Sequence, residues 1–293
     1  MKNDYNELEK YLLLRLKDST VNSYLYIIRR FLYRFPKPSK LRLTDLENYF
    51  NEFKQRGDSV RYRRLIIASV KAYYDFLIDL GAIQINPCKR VKTETAPTGT
   101  NFTDMLTMEE MESMFKAKYE RFPVIINRDR AIIGILIYQG VSREELVTLR
   151  VKDVNFDAGT IFITGCRKNR NRTLSLRPSQ VPVLLSYINE DRKRLGIAKS
   201  DKLFISMRGM PMTSDSVHAL VNRMAGAFDK ELSPSNIRRS VISYWLNERK
   251  FPLEDVQIMA GHRYPSSTEK YLQNNIKEQR EAVTNLHQSI FGY

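Results

Sequence analysis

The chain predicts a mainly α-helical protein with a small antiparallel β-sheet, divided into two domains, and three features carry that expectation. Apolar residues recur every three to four positions from Tyr5 to about Ile83. A stretch with prolines, threonines and no period runs from Asn86 to Phe102. Beyond it, two short runs of alternating polarity flank a basic turn among further helical segments. The expected division is a helical domain over 1–85, a linker over 86–103 and a mixed domain over 104–293 that ends in a tail helix.

In the first domain, Val21, Tyr24, Leu25, Ile28, Phe31 and Leu32 form one apolar stripe. A second helix is expected to start at Thr44, with a capping box in "TDLE", and to end near Gly57. A third, "SVRYRRLIIASVKAYYDFLIDLG", places Leu65, Ser69, Ala72, Phe76 and Leu80 inward. Arg61, Arg63 and Arg64 crowd its first turns, where cations oppose the positive end of the helix dipole. Either an external anion or simple solvation accounts for them.

A second capping box, "TMEE" at Thr107 to Glu110, opens the mixed domain. "RDRAIIGILIYQG" is apolar nearly all round, hence a buried helix stopped by Gly140. After "SREELVTLR" come the strands "TIFITG" and "TLSLRP", and between them "CRKNRNR" carries Arg167, Lys168, Arg170 and Arg172. Four cations on a hairpin tip repel one another unless something negative faces them, which favours a nucleic-acid contact. Helices over "SQVPVLLSYINEDRKRLG", "TSDSVHALVNRMAGAF", "SPSNIRRSVISYWLNERK" and "LEDVQIMAG" complete the domain.

Composition narrows the function. Among 293 residues, 48 Lys and Arg against 33 Asp and Glu give a formal charge of +15, which points to a polyanionic partner. Two cysteines, Cys88 and Cys166, provide neither a disulfide framework nor a metal set. The longest apolar run, Ala131 to Tyr138, is too short to cross a bilayer, and "MKNDYNELEK" lacks the apolar core of a signal peptide, so a cytoplasmic, nucleoid-associated protein without membrane contact is expected. No CxxC, HExxH, acidic metal cluster or P-loop is present, so no cofactor is expected. Covalent catalysis by a side chain remains. A tyrosine can attack a phosphorus when arginines hold the non-bridging oxygens and stabilise the added charge.

The segment "SPSNIRRS" followed by "MAGHRYPSSTEKYL" resembles the C-terminal signature of the tyrosine recombinases, also called the phage-integrase type. In that pattern an HxxR helix precedes a Gly-His dipeptide, and the nucleophilic tyrosine follows the histidine by nine residues in a Thr-x-x-Tyr context. The matching positions here are Ser235 to Arg238, Gly261 with His262, and Thr268 with Tyr271. "GVSREELVTLRVKDV", the basic hairpin, "LFISMRGMPMT" and the N-terminal helices with their Asn-Pro end are similar to the remaining parts of such enzymes, so the resemblance spans the whole chain. It implies a core-binding domain followed by a catalytic domain of tyrosine-recombinase type.

The resemblance also implies roles. Tyr271 attacks the scissile phosphate; Arg238 binds it, with Arg239 as competitor. Lys168, or Arg167 since the loop is one residue longer than the usual pattern, protonates the leaving 5′-oxygen. His262 hydrogen-bonds the phosphate and can take the tyrosine proton, and Glu145 supports the site as a buried acceptor. Arg61, Arg63, Arg64, Arg167, Arg170 and Arg172 are the candidate DNA contacts. Two positions depart from the pattern: Ser142 stands at the first arginine and Ser235 at the histidine of HxxR. Integrases of Bacteroides-type mobile elements are similar in having serine at the first of these. Arg130, Arg143 or an arginine of the first domain is then the replacement, Arg130 being preferred. The implied partners are double-stranded DNA with specific inverted-repeat sites and three further copies of the chain, joined through the C-terminal helix; accessory DNA-bending proteins fit the same scheme. Three readings stay open: an active site-specific recombinase, a cleavage-deficient DNA-binding relative, and a type IB-like topoisomerase.

Overall fold

The computed structural model describes residues 2–94, 102, 104–117, 122–166, 169–195, 200–224, 228, 230 and 232–273. It divides into two compact units, Met1–Thr98 and Gly99–Tyr293. Arg167, Lys168 and the expected tail helix lie outside the described residues.

The first unit holds α1 (Lys2–Leu13), α2 (Asp18–Arg34), α3 (Leu43–Gln55) and α4 (Val60–Asp79). The α2 stripe turns inward as its spacing requires, with Ile28 and Phe31 fully buried. Around Phe31 pack Tyr49, Tyr73 and Tyr74 at centroid distances of 5.5, 6.4 and 6.1 Å, so aromatic edges fill this core. Two details differ from expectation. Helix α3 begins two residues earlier than the Thr44 box predicts: its N-cap is Arg42, whose amide donates to Asp45 Oδ2 at 2.8 Å. On α4 the inward face is turned: Ile66, Ile67, Ser69, Val70, Tyr73, Tyr74 and Phe76 are buried, Leu65 and Ala72 only partly, and Leu80 is 52% exposed. Bulky tyrosines, which reach further than alanine, take the inner positions.

The expected linker also begins inside this unit. Asn86 Nδ2 donates to Asp75 Oδ1 at 2.6 Å and to the Lys71 carbonyl at 3.1 Å, and Cys88 and Val91 are buried against the helices. Burial raises the Cys88 thiol to about 12, so it behaves as a small apolar plug.

The second unit is built on α6 (Ile126–Gln139), which is buried on nearly every side, with α5 (Met108–Lys116), α8 (Gln180–Ser186) and α11 (Pro234–Ser243) packed on it. Thr107 and Glu110 exchange the two bonds of a capping box at the start of α5. The sheet is antiparallel in the order β1 (Val154–Asn155), β2 (Thr160–Ile163), β3 (Arg172–Ser175), with Ile163 opposite Arg172. Helix α7 (Arg143–Thr148) follows α6. Beyond the sheet and α8 lie α9 (Arg192–Arg194), α10 (Ser214–Asn222), α12 (Leu253–Ala260) and α13 (Ser266–Glu269). A π-helical turn, Tyr244–Glu248, prolongs α11. Among the described residues no helix is long and apolar enough to cross a membrane.

Gly140 ends α6 in the left-handed region at φ 55°, and a Cβ there would lie 3.0 Å from Val241 Cγ1. Both the backbone strain and the crowding oppose a side chain, so Gly140→Ala is expected to lower unfolding free energy by about 2 kcal/mol in urea titration; a loss under about 0.5 kcal/mol would contradict this packing.

Candidate active site

Glu145 is the point on which the site assembles. Ser142 caps α7: its hydroxyl accepts from the Glu145 amide at 3.2 Å, and Glu145 Oε2 accepts from the Ser142 amide at 2.8 Å. This reciprocal box fixes the carboxylate, which is completely buried. Arg172, from β3, donates Nη1 to Oε1 at 2.6 Å and Nη2 to Oε2 at 3.3 Å, a two-pronged grip. Asn169 Nδ2 donates to Oε1 at 3.0 Å, and Arg238 Nη1, from α11, approaches Oε2 at 3.5 Å. Burial alone raises the Glu145 carboxyl, but the Arg172 hydrogen bond, the charges of Arg172 and Arg238 and the Ser142 amide outweigh it and hold the group below its ordinary value.

Backbone carbonyls complete the grip. Arg238 donates to Gly140 O at 2.5 Å and to Ala260 O at 2.6 Å, so it ties the C-terminal ends of α6 and α12 together. Burial draws its pKa down, and Glu145 opposes the shift. Arg172 Nε donates to Met259 O at 2.7 Å. The Arg172 guanidinium lies under Gly261, where φ is 72° and an added Cβ would stand 2.5 Å from Nη1. The glycine of the Gly-His pair therefore makes room for an arginine. Two guanidiniums against one carboxylate leave a local excess of positive charge, which suits a phosphate.

The last stretch brings in the ring pair. His262 is held by its backbone, whose amide donates to Gln257 O at 2.9 Å, and it forms an isolated β-bridge with Asn169 on the hairpin. Its Nδ1 lies 2.8 Å from Thr268 Oγ1, and its ring stacks on that of Tyr271, centroids 6.3 Å apart at 14°. Tyr271 is 7% exposed. Asn247, carried by the π-helical turn after α11, donates to Tyr271 O at 2.8 Å and accepts from the Gln273 amide at 2.9 Å, which pins the segment.

Of the candidates named above, Glu145, Ser142, Arg172, Arg238, His262 and Tyr271 are thus brought together. Others are not. Arg130 makes no bond to this group among the described residues, and its buried Nε has no partner. It lies ten positions before Gly140 on a continuous helix, roughly 15 Å away along the axis, because α6 does not fold back beneath the site. Arg143 turns to Glu144 at 3.1 Å. Ser235 is exposed on the first turn of α11, and Arg239 bonds Asn236 instead. Arg172 is no exposed hairpin cation, since it is buried on Glu145, whereas Arg170 is exposed. In the first unit Arg63 is engaged internally, by the Asp58 carbonyl and Glu94, while Arg61 and Arg64 are exposed.

Several residues escaped the sequence reading. The inward direction of Arg172 was present in strand alternation: Arg172, Leu174 and Leu176 share one face and are all buried, with Thr173 and Ser175 outside. On α2, Tyr26, Arg29, Arg30, Tyr33 and Arg34 follow the spacing i, i+3, i+4, i+7, i+8 and form an exposed face, Tyr33 at 92%. Asn169 and Asn247 carried no signal of their own, and Thr268 was marked only by its place in the Thr-x-x-Tyr context.

His262 is pushed down to about 4, chiefly by burial and then by the charges of Arg238, Lys270 and Arg172. With a folded value below its ordinary 6.5, the neutral ring contributes stability above pH 6.5 that is lost as pH falls towards 4. In an NMR titration the His262 ring signals, identified by their loss in His262→Gln, should stay constant from about pH 8 to about pH 5; a midpoint near 6.5 would show an uncrowded, solvated ring.

Comparison with known proteins shows what the chain is similar to. The chain is 26% identical over 289 residues to a tyrosine recombinase of Agathobacter rectalis, covering 93% of this chain and 92% of that one. It is 27% identical over 296 residues to the tyrosine recombinase XerA of Pyrococcus furiosus, covering 98% and 95%. Among solved structures, the fold matches the XerH site-specific recombinase bound to difH substrate with a TM-score of 0.70 and 19% identity, over 88% of this chain and 78% of that one. The phage integrase family model matches residues 104–278, the stretch that carries Glu145, Arg172, Arg238, His262 and Tyr271, and the chain belongs to that family.

Proposed function

We propose that the chain is a site-specific DNA recombinase that cuts and rejoins strands through Tyr271. The phenolic oxygen forms a bond to the scissile phosphorus while the bond to the 5′-oxygen breaks, leaving a 3′-phosphotyrosyl ester and a 5′-hydroxyl. The tyrosine gives up its proton and the leaving oxygen gains one. Resealing reverses these steps with the 5′-hydroxyl of another strand, so the ester conserves the bond energy. The gathering of Arg172, Arg238, His262 and Tyr271 about one buried carboxylate supports this reading most directly.

Arg238 and Arg172 hold the non-bridging oxygens. Arg172 is thereby the replacement for the arginine that Ser142 lacks, in place of Arg130 and in keeping with a likeness to integrases of Bacteroides-type elements. Lys168 supplies the proton to the 5′-oxygen, on the strength of its place in the hairpin. Glu145 orients both arginines and does not react. Arg61 and Arg64, joined by the tyrosine and arginine face of α2, contact DNA from the first unit, and Arg167 and Arg170 from the second. The first compact unit, which takes in Asn86, Cys88 and Val91 of the expected connection, is the core-binding domain, and the second is the catalytic domain. Four copies act on paired inverted-repeat sites, linked through the C-terminal segment, with DNA-bending proteins as accessories in the cytoplasm. The engagement of Arg172 favours an active enzyme over a binding-only relative, since a lost phosphate site has no need of a second buried guanidinium.

On a nicked suicide site containing the cognate sequence, the wild-type protein should accumulate a covalent DNA adduct on denaturing gels and Tyr271→Phe should form none. Absence of adduct with both would favour the binding-only reading.

Arg172→Lys keeps the charge and loses the fork, so it should melt close to the wild-type temperature yet cleave about a hundredfold more slowly. Arg130→Ala should stay within a few-fold. The reverse pattern in single-turnover rates would return the role to Arg130.

A further inference from the structure

Thr268 is completely buried, and its hydroxyl oxygen lies 2.8 Å from His262 Nδ1. A hydroxyl carries one proton and can accept as well, whereas a neutral imidazole has one nitrogen that donates and one that accepts. Which nitrogen of His262 bears the proton therefore follows from which way this one bond runs. No other side-chain bond of Thr268 is present among the described residues, and its amide is spent on the Pro265 carbonyl at 2.7 Å. A buried hydroxyl that only accepted would leave its own proton without a partner, at the cost of an unmade hydrogen bond. The proton is satisfied if the hydroxyl donates to Nδ1.

We infer that Thr268 is a positioning residue that donates its hydroxyl proton to His262 Nδ1 and so fixes the ring as the tautomer with hydrogen on Nε2. The backbone supports a fixed ring: the His262 amide donates to Gln257 O at 2.9 Å, and Gln257 Nε2 donates back to His262 O at 3.2 Å. Tyr271 stacks on one ring face, which limits rotation about χ2. With Nδ1 occupied, Nε2 is the only ring nitrogen left to meet substrate, and it meets it as a donor.

This rests on the proposed phosphate site and sharpens it. An Nε2–H donor serves a non-bridging phosphate oxygen and cannot at the same time take the Tyr271 proton through that nitrogen. Of the two roles open to His262, the bond to Thr268 selects the phosphate contact, and the tyrosine proton goes to another acceptor. Thr268 sits on α13, which ends at Glu269, two residues before Tyr271, so the turn that leads into the proposed nucleophile also sets the state of its neighbour.

The chain has only three histidines, which makes the tautomer directly observable. In protein labelled with 15N-histidine, long-range proton–nitrogen correlation near neutral pH should show His262 with a protonated Nε2 and an unprotonated Nδ1. Thr268→Ser should keep that pattern, and Thr268→Val should give the other tautomer or a mixture. Wild-type protein with hydrogen on Nδ1 overturns the proposal without any variant. In single-turnover cleavage of the suicide site, Thr268→Val should be about tenfold slower and Thr268→Ser close to wild type. A valine variant that keeps both the tautomer and the rate also overturns it. If wild type shows the Nε2–H tautomer and yet forms no adduct, the recombinase reading fails while the tautomer assignment stands.

Discussion

A single carboxylate with no access to water organises the second unit. Glu145 must stay ionised to balance two guanidiniums, and they must stay close to keep it ionised. Removing one member of such a buried pair typically costs about 3–5 kcal/mol, because the remaining charge is stranded in a medium that solvates it poorly. That mutual dependence ties together three distant stretches of chain: the start of α7, the strand β3 and the middle of α11. The carbonyls of Gly140, Met259 and Ala260 are drawn into the same cluster, so the ends of α6 and α12 are positioned by one electrostatic requirement.

Chemistry follows from the surplus. Two arginines facing one carboxylate leave a surplus of positive charge, and under the proposed function a phosphodiester would balance it in the geometry that a planar fork prefers. Burial first, and then the charges of Arg238, Lys270 and Arg172, push the His262 pKa down and favour the neutral ring. Ser142, which looks like a lost catalytic residue when set beside the family pattern, has a different use here. It caps α7 and holds Glu145 by two bonds. Arg172, arriving from β3, grips the same carboxylate, and in the proposed function it stands in for the arginine absent at 142.

Glycine at 261 belongs to this account. With φ at 72° and the Arg172 guanidinium directly beneath, any side chain there would push the arginine off Glu145. The Gly-His dipeptide is thus a packing solution as well as a motif: the glycine admits the arginine, and the histidine next to it meets the hairpin through Asn169 and α13 through Thr268.

Local rules were enough for much of the architecture. Periodicity located the helices of both units, and glycine and proline marked their ends, because these depend on neighbours a few residues apart; the stretch from Gly261 to Tyr271 stood out only through its resemblance to the tyrosine-recombinase signature. Arg172 shows where that reach ends. As one of four cations in a hairpin it reads as a surface contact, and only the alternation with Leu174 and Leu176 hints that it points inward. That it meets a carboxylate 27 positions earlier, and that Arg130 does not, depends on how β3 and α6 are set in the folded unit. The order of residues determined which elements form and which side chains are chemically able. Tertiary structure alone decided which charges share one dry space, since a buried ion pair is selected by desolvation and distance, and neither is encoded within a single element.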